Sequence, residues 1–240
     1  MTQTRRQIKT FPSPFATLAL LAMAVAISAI LYYLSRLRDF NHHVPQFIAL
    51  SLVVGAIYLT SVYLVEQRPL GRPALFVILA AAAVFRLILL PVKPPLSDDV
   101  YRYQWEGKVQ ALSINPYTVY PAQPDLQKLQ DPEHSIRTAA TIPSAYPPLS
   151  EISFTWSRTI SGYKNLYTAF DLATAVILLL ILGSLRQPLH RALTYVWNPA
   201  VLIAFSLCGH QDSLAIFTLM AACLLIIVRK PLVSNAFLAL

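Results

Sequence analysis

The chain has 240 residues, of which 56% are apolar and 12% are charged, and its formal net charge at pH 7 is +8. Soluble domains carry about 25% charged residues, so this composition argues against a soluble enzyme, a disordered tail and a nucleic-acid-binding domain despite the basic balance. The composition predicts an all-α membrane protein whose basic residues are sorted to one side of a bilayer.

Six apolar stretches approach the length of about 20 residues that a membrane-spanning helix needs. They are residues 15–34, 47–65, 73–90, 166–185, 192–208 and 213–228. A seventh stretch begins at Leu232 and is cut off by the end of the sequence, so we expect a polytopic helix bundle with about six complete spans and a truncated seventh. We divide the chain into three N-terminal helices (1–90), a long connecting segment (91–164) and a second helical part (165–240).

The charges of the loops predict the orientation of the chain. With a cytoplasmic N-terminus, the cytoplasmic segments hold nine basic residues against one acid, Glu66, whereas the connecting segment holds seven of each sign. This sorting is what the positive-inside rule requires, although Arg36 and Arg38 lie on the disfavoured side. We therefore expect a multi-pass protein of a bacterial inner or plasma membrane, with its connecting segment outside.

The connecting segment is rich in aromatic residues and prolines, which is typical of a folded surface and not of a disordered loop. We predict three short helices within it. The first runs from Asp98 to about Leu112, and the second runs from an N-cap at Asp131 to about Ala140. The third covers residues 149–160 and has an apolar face that would lie in the membrane interface.

An acidic pair opens the first of these helices. The free amide groups and the dipole of a helix N-terminus favour ionised carboxylates, so Asp98 and Asp99 could supply a general base there. Arg102 and Glu106 follow at intervals of four residues and can form a ladder of ion pairs with Asp98. An ordinary capped, salt-bridged helix explains the same pattern equally well.

A second polar group lies in the turn between the fifth and sixth predicted spans, at residues 209–212. This turn carries the imidazole of His210 and the carboxylate of Asp212 at the same membrane face as the acidic pair. His210 could carry a proton or contact a phosphate. A polar turn that only reverses the chain is the alternative.

Two ionisable residues lie inside predicted spans. Arg86 and Asp171 are both in the outer half of the bilayer, where charged groups pair or line a polar cavity, so we expect them to pair or to face the site together. Snorkelling of Arg86 to the surface is the alternative. In the fifth span, Pro199 should kink the helix, and the preceding Asn198 is able to satisfy the carbonyl that the kink frees. A kink that serves only the packing of the helices is the alternative.

Four blocks of the sequence, in their order and spacing, resemble bacterial GT-C glycosyltransferases, most closely the polyprenol-phosphate-mannose-dependent mannosyltransferases. The blocks are SDDVYRYQWEGKVQ with INPY (residues 97–110 and 114–117), YPPL (146–149), WNP (197–199) and GHQDSL (209–214). The family commonly has Asp where this chain has Glu106, and Asn where it has Gln211. Both differences keep the type of chemistry and alter the reach of the side chain.

The resemblance implies an integral membrane enzyme that transfers a hexose, expected to be mannose, from a polyprenyl phosphate to an acceptor hydroxyl on the external face. Asp98 would be the general base, with Asp99 as the second choice. The residues expected to contact substrate are Arg102, Tyr103, Trp105, Glu106, Asn115, Tyr146, His210 and Asp212. Among them, Arg102 and His210 would contact phosphate or sugar, and Tyr103 and Trp105 would stack on a sugar ring unless they pack against the membrane helices.

The implied partners are the polyprenyl-phosphate sugar donor, a glycan or lipid acceptor and membrane lipids, with no nucleic acid. The resemblance requires no cofactor and leaves the participation of a divalent metal open.

Two other functions fit the composition. A lipid-linked sugar transporter or flippase would line a path at the membrane midplane with charges, whereas Arg86 and Asp171 are the only charges inside the predicted spans and neither is central. In a non-catalytic membrane scaffold, the acidic pair and the His210 turn would lie far apart. The enzyme interpretation requires these two groups to meet at the membrane surface.

Overall fold

The computed structural model describes residues 14–37, 40–68, 70–229 and 236–238. Over these ranges the chain is helical, and Asp131 and His134 form an isolated bridge without any β-strand, so the predicted all-α class is confirmed there. The α-helices are α1 (Pro14–Ser35), α2 (Val44–Gln67), α3 (Arg72–Leu89), α4 (Asp99–Ala111), α5 (Pro148–Phe154), α6 (Ile160–Ser184), α7 (Leu193–Val196), α8 (Pro199–Val201) and α9 (Asp212–Ile227). The N-terminal basic residues, Arg38 and the start of the seventh apolar stretch at Leu232 lie outside the described residues.

Four helices of the described chain are long and apolar enough to cross a bilayer, namely α1, α2, α3 and α6. They match four of the six predicted spans, and they identify the chain as a membrane protein. α9 matches the sixth predicted span but has only 16 residues.

The fifth predicted span, residues 192–208, is wrong as a continuous helix. α7 ends at Val196, α8 begins at Pro199, and a π-helix (Leu202–Leu207) follows directly. The break arises because Pro199 has no backbone N–H and its ring cannot pack inside an unbroken α-helix. The Asn198 carboxamide begins the next helix by accepting a hydrogen bond from the Ala200 N–H, 3.0 Å away.

The carbonyls freed by this break are satisfied by other helices and not, as expected, by Asn198. The Arg86 guanidinium of α3 donates from Nη1 to the Val196 carbonyl at 3.0 Å, and the Tyr58 hydroxyl of α2 donates to the Thr194 carbonyl at 2.7 Å. Such partners are required because an unpaired carbonyl in a hydrocarbon environment costs several kcal/mol. The break therefore joins the irregular span to α2 and α3.

A buried ion pair connects α3 to α6. The Arg86 guanidinium donates to both carboxylate oxygens of Asp171, at 2.6 and 3.1 Å, and both side chains are almost completely buried. Pairing is thus the arrangement found for these two residues, and Arg86 does not snorkel. Seven residues before Asp171, the Lys164 ammonium donates to the carbonyls of Leu89 and Val92 and so caps the C-terminal end of α3.

The connecting segment packs its aromatic residues into a core of its own, separate from that of the long helices. This core includes Tyr103, Trp105, Phe154, Tyr163 and Tyr167, all of which are buried. Since Tyr163 and Tyr167 belong to α6, the core attaches α4 and α5 to the end of a membrane helix. The connecting segment is therefore a folded cap on the helix bundle.

The predicted helix over residues 131–140 is not formed. The chain there follows turns whose backbone N–H groups donate to side chains: Asp98 accepts from Arg137 and Thr138, and Gln130 accepts from Ile136. These bonds replace the bonds to backbone carbonyls that a helix would need. A capping signal at Asp131 was present, but contacts distant in sequence determine the conformation.

The predicted amphipathic helix over residues 149–160 is also shorter than expected. α5 ends at Phe154, where the Tyr163 hydroxyl lies 2.7 Å from the carbonyls of both Phe154 and Ser157. The Thr159 hydroxyl then accepts from the Gly162 N–H at 3.0 Å and begins α6. The apolar pattern thus spans two helices and the turn between them.

Candidate functional site

The first turn of α4 carries the acidic pair. Asp98 is the N-cap residue and Asp99 is the first helical residue, and the Asp99 N–H donates to the Ser97 hydroxyl at 3.1 Å. The two carboxylates therefore lie at the end of the helix where unpaired amides and the dipole favour negative charge. Their surroundings nevertheless differ.

Asp99 forms an ion pair with His210. The Nδ1 atom of His210 lies 3.2 Å from Oδ2 of Asp99, although 111 residues separate them in the chain. Asp99 keeps 34% of its side chain exposed and His210 keeps 26%, so both groups remain accessible to a ligand. The convergence that the enzyme interpretation requires is present.

The pair stabilises the charged form of each partner. The hydrogen bond to Asp99 raises the pKa of His210 to about 10, with help from the Cys208 thiol and against the cost of burial. The hydrogen bond from His210 lowers the pKa of Asp99 below its ordinary value, and it outweighs the opposite effect of burial. At neutral pH the site therefore holds an imidazolium beside a carboxylate.

The turn that carries His210 is held in place from three sides. The His210 N–H donates to the Ala204 carbonyl of the π-helix at 2.9 Å, and the Gln211 side chain accepts from the Ser150 hydroxyl of α5 at 2.6 Å. The Gln211 N–H lies 3.5 Å from the Tyr103 hydroxyl of α4. The irregular fifth span, α4 and α5 thus position the imidazole together.

Gly209 permits this close arrangement. Its φ of +74° lies in the left-handed region, and a Cβ atom there would stand 2.9 Å from Cγ of Lys164. Both the backbone conformation and the space favour glycine.

Asp98 is bound differently from Asp99. Its Oδ2 atom accepts hydrogen bonds from the backbone N–H groups of Arg137 and Thr138, at 2.8 and 2.9 Å. Burial alone would raise the pKa of Asp98, but these backbone hydrogen bonds outweigh burial and lower it. Asp98 is thus tied to the segment that follows Asp131.

Arg102 also binds this segment. Its Nη1 and Nη2 atoms donate to the carbonyls of Ala139 and Ile142 at 2.8 and 2.9 Å, and its Nε atom donates to Glu106 at 2.7 Å. The Arg102 side chain is buried, and each of its three nitrogens donates to a protein acceptor.

Glu106 lies in a buried pair of carboxyl groups with Glu151 of α5. Burial and the neighbouring Glu151 raise the pKa of Glu106 to about 8, against the opposite effect of Arg102. Glu151 in turn accepts from the Ser144 hydroxyl and from Gln110 Nε2. This polar cluster joins α4 to α5, and the nearby Glu151 favours the protonated form of Glu106.

The aromatic residues expected to stack on a sugar are covered by protein. Tyr103 is stacked on Phe154 with ring centroids 4.6 Å apart, and Tyr146 meets Tyr103 edge to face at 5.4 Å. Trp105 is fully buried and donates its indole N–H to the Leu126 carbonyl at 3.2 Å. In this structure, Tyr103 and Trp105 pack inside the aromatic core of the connecting segment.

The remaining predicted site residues make no contact with the Asp99–His210 pair in the contacts described here. The Asn115 carboxamide caps a short 3₁₀ turn by accepting from the Tyr117 N–H at 3.0 Å, and Asp212 is exposed at the first position of α9. Arg86, Asp171 and Asn198 belong to the packing of the membrane helices.

Three residues next to the Asp99–His210 pair are not indicated by the sequence motifs. Ser150 and Glu151 belong to the predicted amphipathic helix but not to its apolar face, and both are buried. Ser150 donates to Gln211 of the His210 turn, and Glu151 accepts from Gln110 of α4. Lys164 is the last residue of the predicted connecting segment, whereas in the structure it caps α3 and lies against Gly209. Only the polar character of these residues within apolar surroundings could have indicated them.

An open cleft of about 760 Å³ lies beside the acidic pair. The residues that line it are Pro94, Pro95, Leu96, Ser97, Asp98, Asp99, Glu133, His134, Ser135, Arg137 and Thr138. Its volume is within the range of about 300–1,000 Å³ that is typical of ligand pockets. The cleft therefore has room for a ligand next to Asp99.

No group of three or more His, Cys, Asp or Glu side chains that could hold a metal ion occurs in the described part of the chain.

A comparison with protein families gives one match. The family described as "Alpha-(1->6)-mannopyranosyltransferase, N-terminal domain" matches residues 15–240. Neither the curated proteins nor the solved structures contain a significant match to the chain.

Proposed function

Because the chain belongs to the alpha-(1->6)-mannopyranosyltransferase family, a GT-C-type family of glycosyltransferases, we propose that it transfers mannose from a polyprenyl phosphate to a hydroxyl group of a glycan acceptor. The ion pair between Asp99 and His210 is the observation that supports this proposal most directly. It brings a carboxylate and a cation together at the junction of the folded cap and the membrane helices, where a lipid-linked sugar phosphate is accessible.

We assign the general base to Asp99. Its ionised carboxylate accepts the proton of the acceptor hydroxyl, while the acceptor oxygen bonds to C1 of mannose and the bond between C1 and the phosphate oxygen breaks. The electron pair of that bond leaves with the phosphate. A carboxylate of low pKa suffices as the base because the acceptor hydroxyl becomes more acidic as its oxygen bonds to C1.

His210 supplies positive charge to the leaving group. With a pKa of about 10, the imidazolium persists through the neutral range and offsets the charge that develops on the departing phosphate. A cation that is held in position beforehand stabilises this charge without reorganisation. Asp99 thus acts on the attacking hydroxyl, and His210 acts on the departing phosphate.

The site belongs on the external face of the membrane in this proposal. α2 ends beside the fifth span, where Glu66 pairs with Arg191 at 2.6 Å. α3 then crosses the membrane from this end toward the acidic pair, so the Glu66 pair and the Asp99 pair lie at opposite ends of the bundle. The excess of basic residues in the loops supports a cytoplasmic location for the Glu66 end.

The replacement Asp99→Asn tests the assignment of the base. We expect turnover with polyprenyl-phosphate mannose to fall by about 100-fold or more, as for the loss of a general base, because the amide cannot accept the proton. Transfer of radiolabelled mannose in membranes measures this effect, after normalisation to the amount of inserted protein. Asp125→Asn, at an exposed acid of the same segment, is the matched control and should keep full activity. Normal turnover of Asp99→Asn would refute the assignment.

A further inference from the structure

Building on the proposed function, we infer that the cleft beside Asp99 binds the acceptor saccharide and that Asp98 is a positioning residue that holds one wall of this cleft. The wall is the segment of residues 133–142, which follows no regular secondary structure. The inference rests on what holds the wall, what lines the cleft and where the cleft opens.

Four hydrogen bonds from two side chains of the α4 region hold the wall. Asp98 accepts from the backbone of Arg137 and Thr138, and Arg102 donates to the backbone of Ala139 and Ile142. All four distances lie between 2.8 and 2.9 Å, and all involve a charged side chain, so the bonds are of the stronger kind. The acidic residue next to Asp99 is therefore committed to the backbone of the wall.

The lining of the cleft suits a neutral, polyhydroxylated ligand. Charged side chains of both signs line it, including Glu133 and Arg137 on the wall, and the Ser97 hydroxyl lies on the opposite side. His134 lies flat on Tyr101, with ring centroids 4.1 Å apart and an interplanar angle of 4°, which gives the wall a rigid flat element. An isoprenoid chain would find few apolar partners there, so the cleft fits the acceptor better than the lipid of the donor.

The cleft lies next to the ion pair of Asp99 and His210. Asp99 lines it and also contacts His210, so the carboxylate stands between the cleft and the imidazolium. An acceptor hydroxyl in the cleft would approach Asp99 from the side opposite to the cation. The acceptor hydroxyl and the departing phosphate would then contact different members of the ion pair, with C1 of mannose between the two oxygens, as an in-line displacement requires.

The same geometry distinguishes Asp98 from a base. Protonation of Asp98 would weaken the two bonds that hold Arg137 and Thr138, so its function depends on acceptor capacity and not on proton transfer. An asparagine at position 98 still offers a carbonyl oxygen to both N–H groups, whereas a leucine offers none. The two replacements therefore separate positioning from proton transfer.

The first experiment compares Asp98→Asn, Asp98→Leu and Asp99→Asn, in the full chain, for the transfer of mannose to α-(1→6)-mannobiose. We expect Asp98→Asn to stay within about 10-fold of the parent, and Asp98→Leu to raise the KM for mannobiose by about 10-fold or more with an unchanged KM for the donor. Asp99→Asn should lose kcat instead. A loss of kcat in Asp98→Asn as large as that in Asp99→Asn would overturn the inference.

The second experiment measures binding of α-(1→6)-mannobiose to the purified chain in detergent by saturation-transfer NMR. Arg137→Ala, at an exposed side chain of the wall, should weaken binding by about 5-fold or more, and Lys128→Ala is the matched surface control. Unchanged binding by Arg137→Ala, or no binding by the parent, would refute the acceptor cleft. Binding by a parent that transfers no mannose would support the cleft and refute the proposed function, so the two failures are distinguishable.

Discussion

Gly209 holds the His210 turn in a conformation that other residues rarely adopt. Gly209→Ala would place a methyl group 2.9 Å from Cγ of Lys164 at a φ of +74°, so we expect a loss of about 1–3 kcal/mol in the free energy of unfolding. The displaced turn should also weaken the ion pair with Asp99 and lower mannose transfer. Thermal unfolding in detergent and the transfer assay measure the two effects.

Gly55→Ala is the matched control for this prediction. Gly55 lies within α2, and a Cβ atom there would meet nothing within 4 Å, so alanine should leave stability unchanged or raise it by up to about 1 kcal/mol. Equal melting temperatures for the parent and Gly209→Ala would contradict the role of Gly209.

The raised pKa of Glu106 predicts that the stability of the folded chain falls as pH rises. Burial and Glu151 raise its pKa in the folded protein to about 8, whereas the ordinary value is 4.5. Between these two values the folded chain keeps a proton that the unfolded chain has lost, so this group reduces stability as pH rises from 4.5 through 8. Glu106→Gln mimics the protonated carboxyl group and does not titrate, so it should remove this part of the decline.

Melting temperatures of the parent and Glu106→Gln at pH 5.5 and pH 8.5 test this sign. The parent should lose more stability than the variant between the two values. Glu133→Gln, at an acid that is mostly exposed and paired with Lys93, should follow the parent. An equally steep decline in Glu106→Gln would show that the buried pair does not retain the proton.

At the residue scale, the sequence indicated which residues meet at the site better than it indicated what each of them binds. The motifs predicted that Asp98, Asp99 and His210 belong together, and the contact between Asp99 and His210 agrees with this. The motifs could not distinguish Asp98 from Asp99, because the two residues are adjacent on one helical turn. They differ in their hydrogen bonds, since only Asp98 accepts from the backbone of Arg137 and Thr138, which are distant in sequence. The backbone partners of Arg102 could not be predicted for the same reason, since they lie 37 and 40 residues away in the chain.

At the scale of elements, the broken fifth span depends on Arg86. Arg86→Leu leaves both the Asp171 carboxylate and the Val196 carbonyl without their partner, so we expect a loss of about 3–5 kcal/mol, as for other broken buried pairs. The double replacement Arg86→Leu with Asp171→Leu removes the unpaired charge and should recover most of this loss. It should remain about 1–3 kcal/mol below the parent, because Val196 keeps an unsatisfied carbonyl.

Exchanging the two charged residues, as Arg86→Asp with Asp171→Arg, is the corresponding control. It restores the pair but moves the guanidinium away from α3, so it should rescue the single variants only in part. Thermal unfolding of the set in detergent measures these differences. Full recovery in the double leucine variant would show that the bond to Val196 contributes nothing.

Element boundaries were predictable where one helix makes its own hydrogen bonds. Hydropathy and length gave α1, α2 and α3 to within three residues of their ends, since such helices satisfy their backbone internally. The C-terminal end of α6 was predicted equally well, but the predicted span starts at Leu166, whereas the helix begins at Ile160 within the predicted connecting segment. The prediction failed at residues 131–140 and in the fifth span, where side chains of other elements satisfy the backbone. A local pattern cannot reveal bonds whose partners are supplied by tertiary structure.

At the scale of the whole molecule, the fold is a helix bundle with a folded cap at one end. The cap is continuous with the bundle because Tyr163 and Tyr167 of α6 belong to its aromatic core. Composition and hydropathy predicted the bundle, and the density of aromatic residues predicted that the connecting segment is folded. The cleft could not be predicted, because it is formed by a loop whose path depends on Asp98 and Arg102.

The contacts of α6 with α3 also set an order for biogenesis. Lys164 and Asp171 lie 75 and 85 residues after the Leu89 carbonyl and the Arg86 guanidinium that they satisfy. During synthesis, α3 therefore reaches the translocon well before its partners exist, and an unpaired guanidinium within a span makes its insertion less favourable. We expect the third helix to stay beside the insertion machinery until α6 emerges from the ribosome, so that the two halves of the chain enter the lipid as one unit.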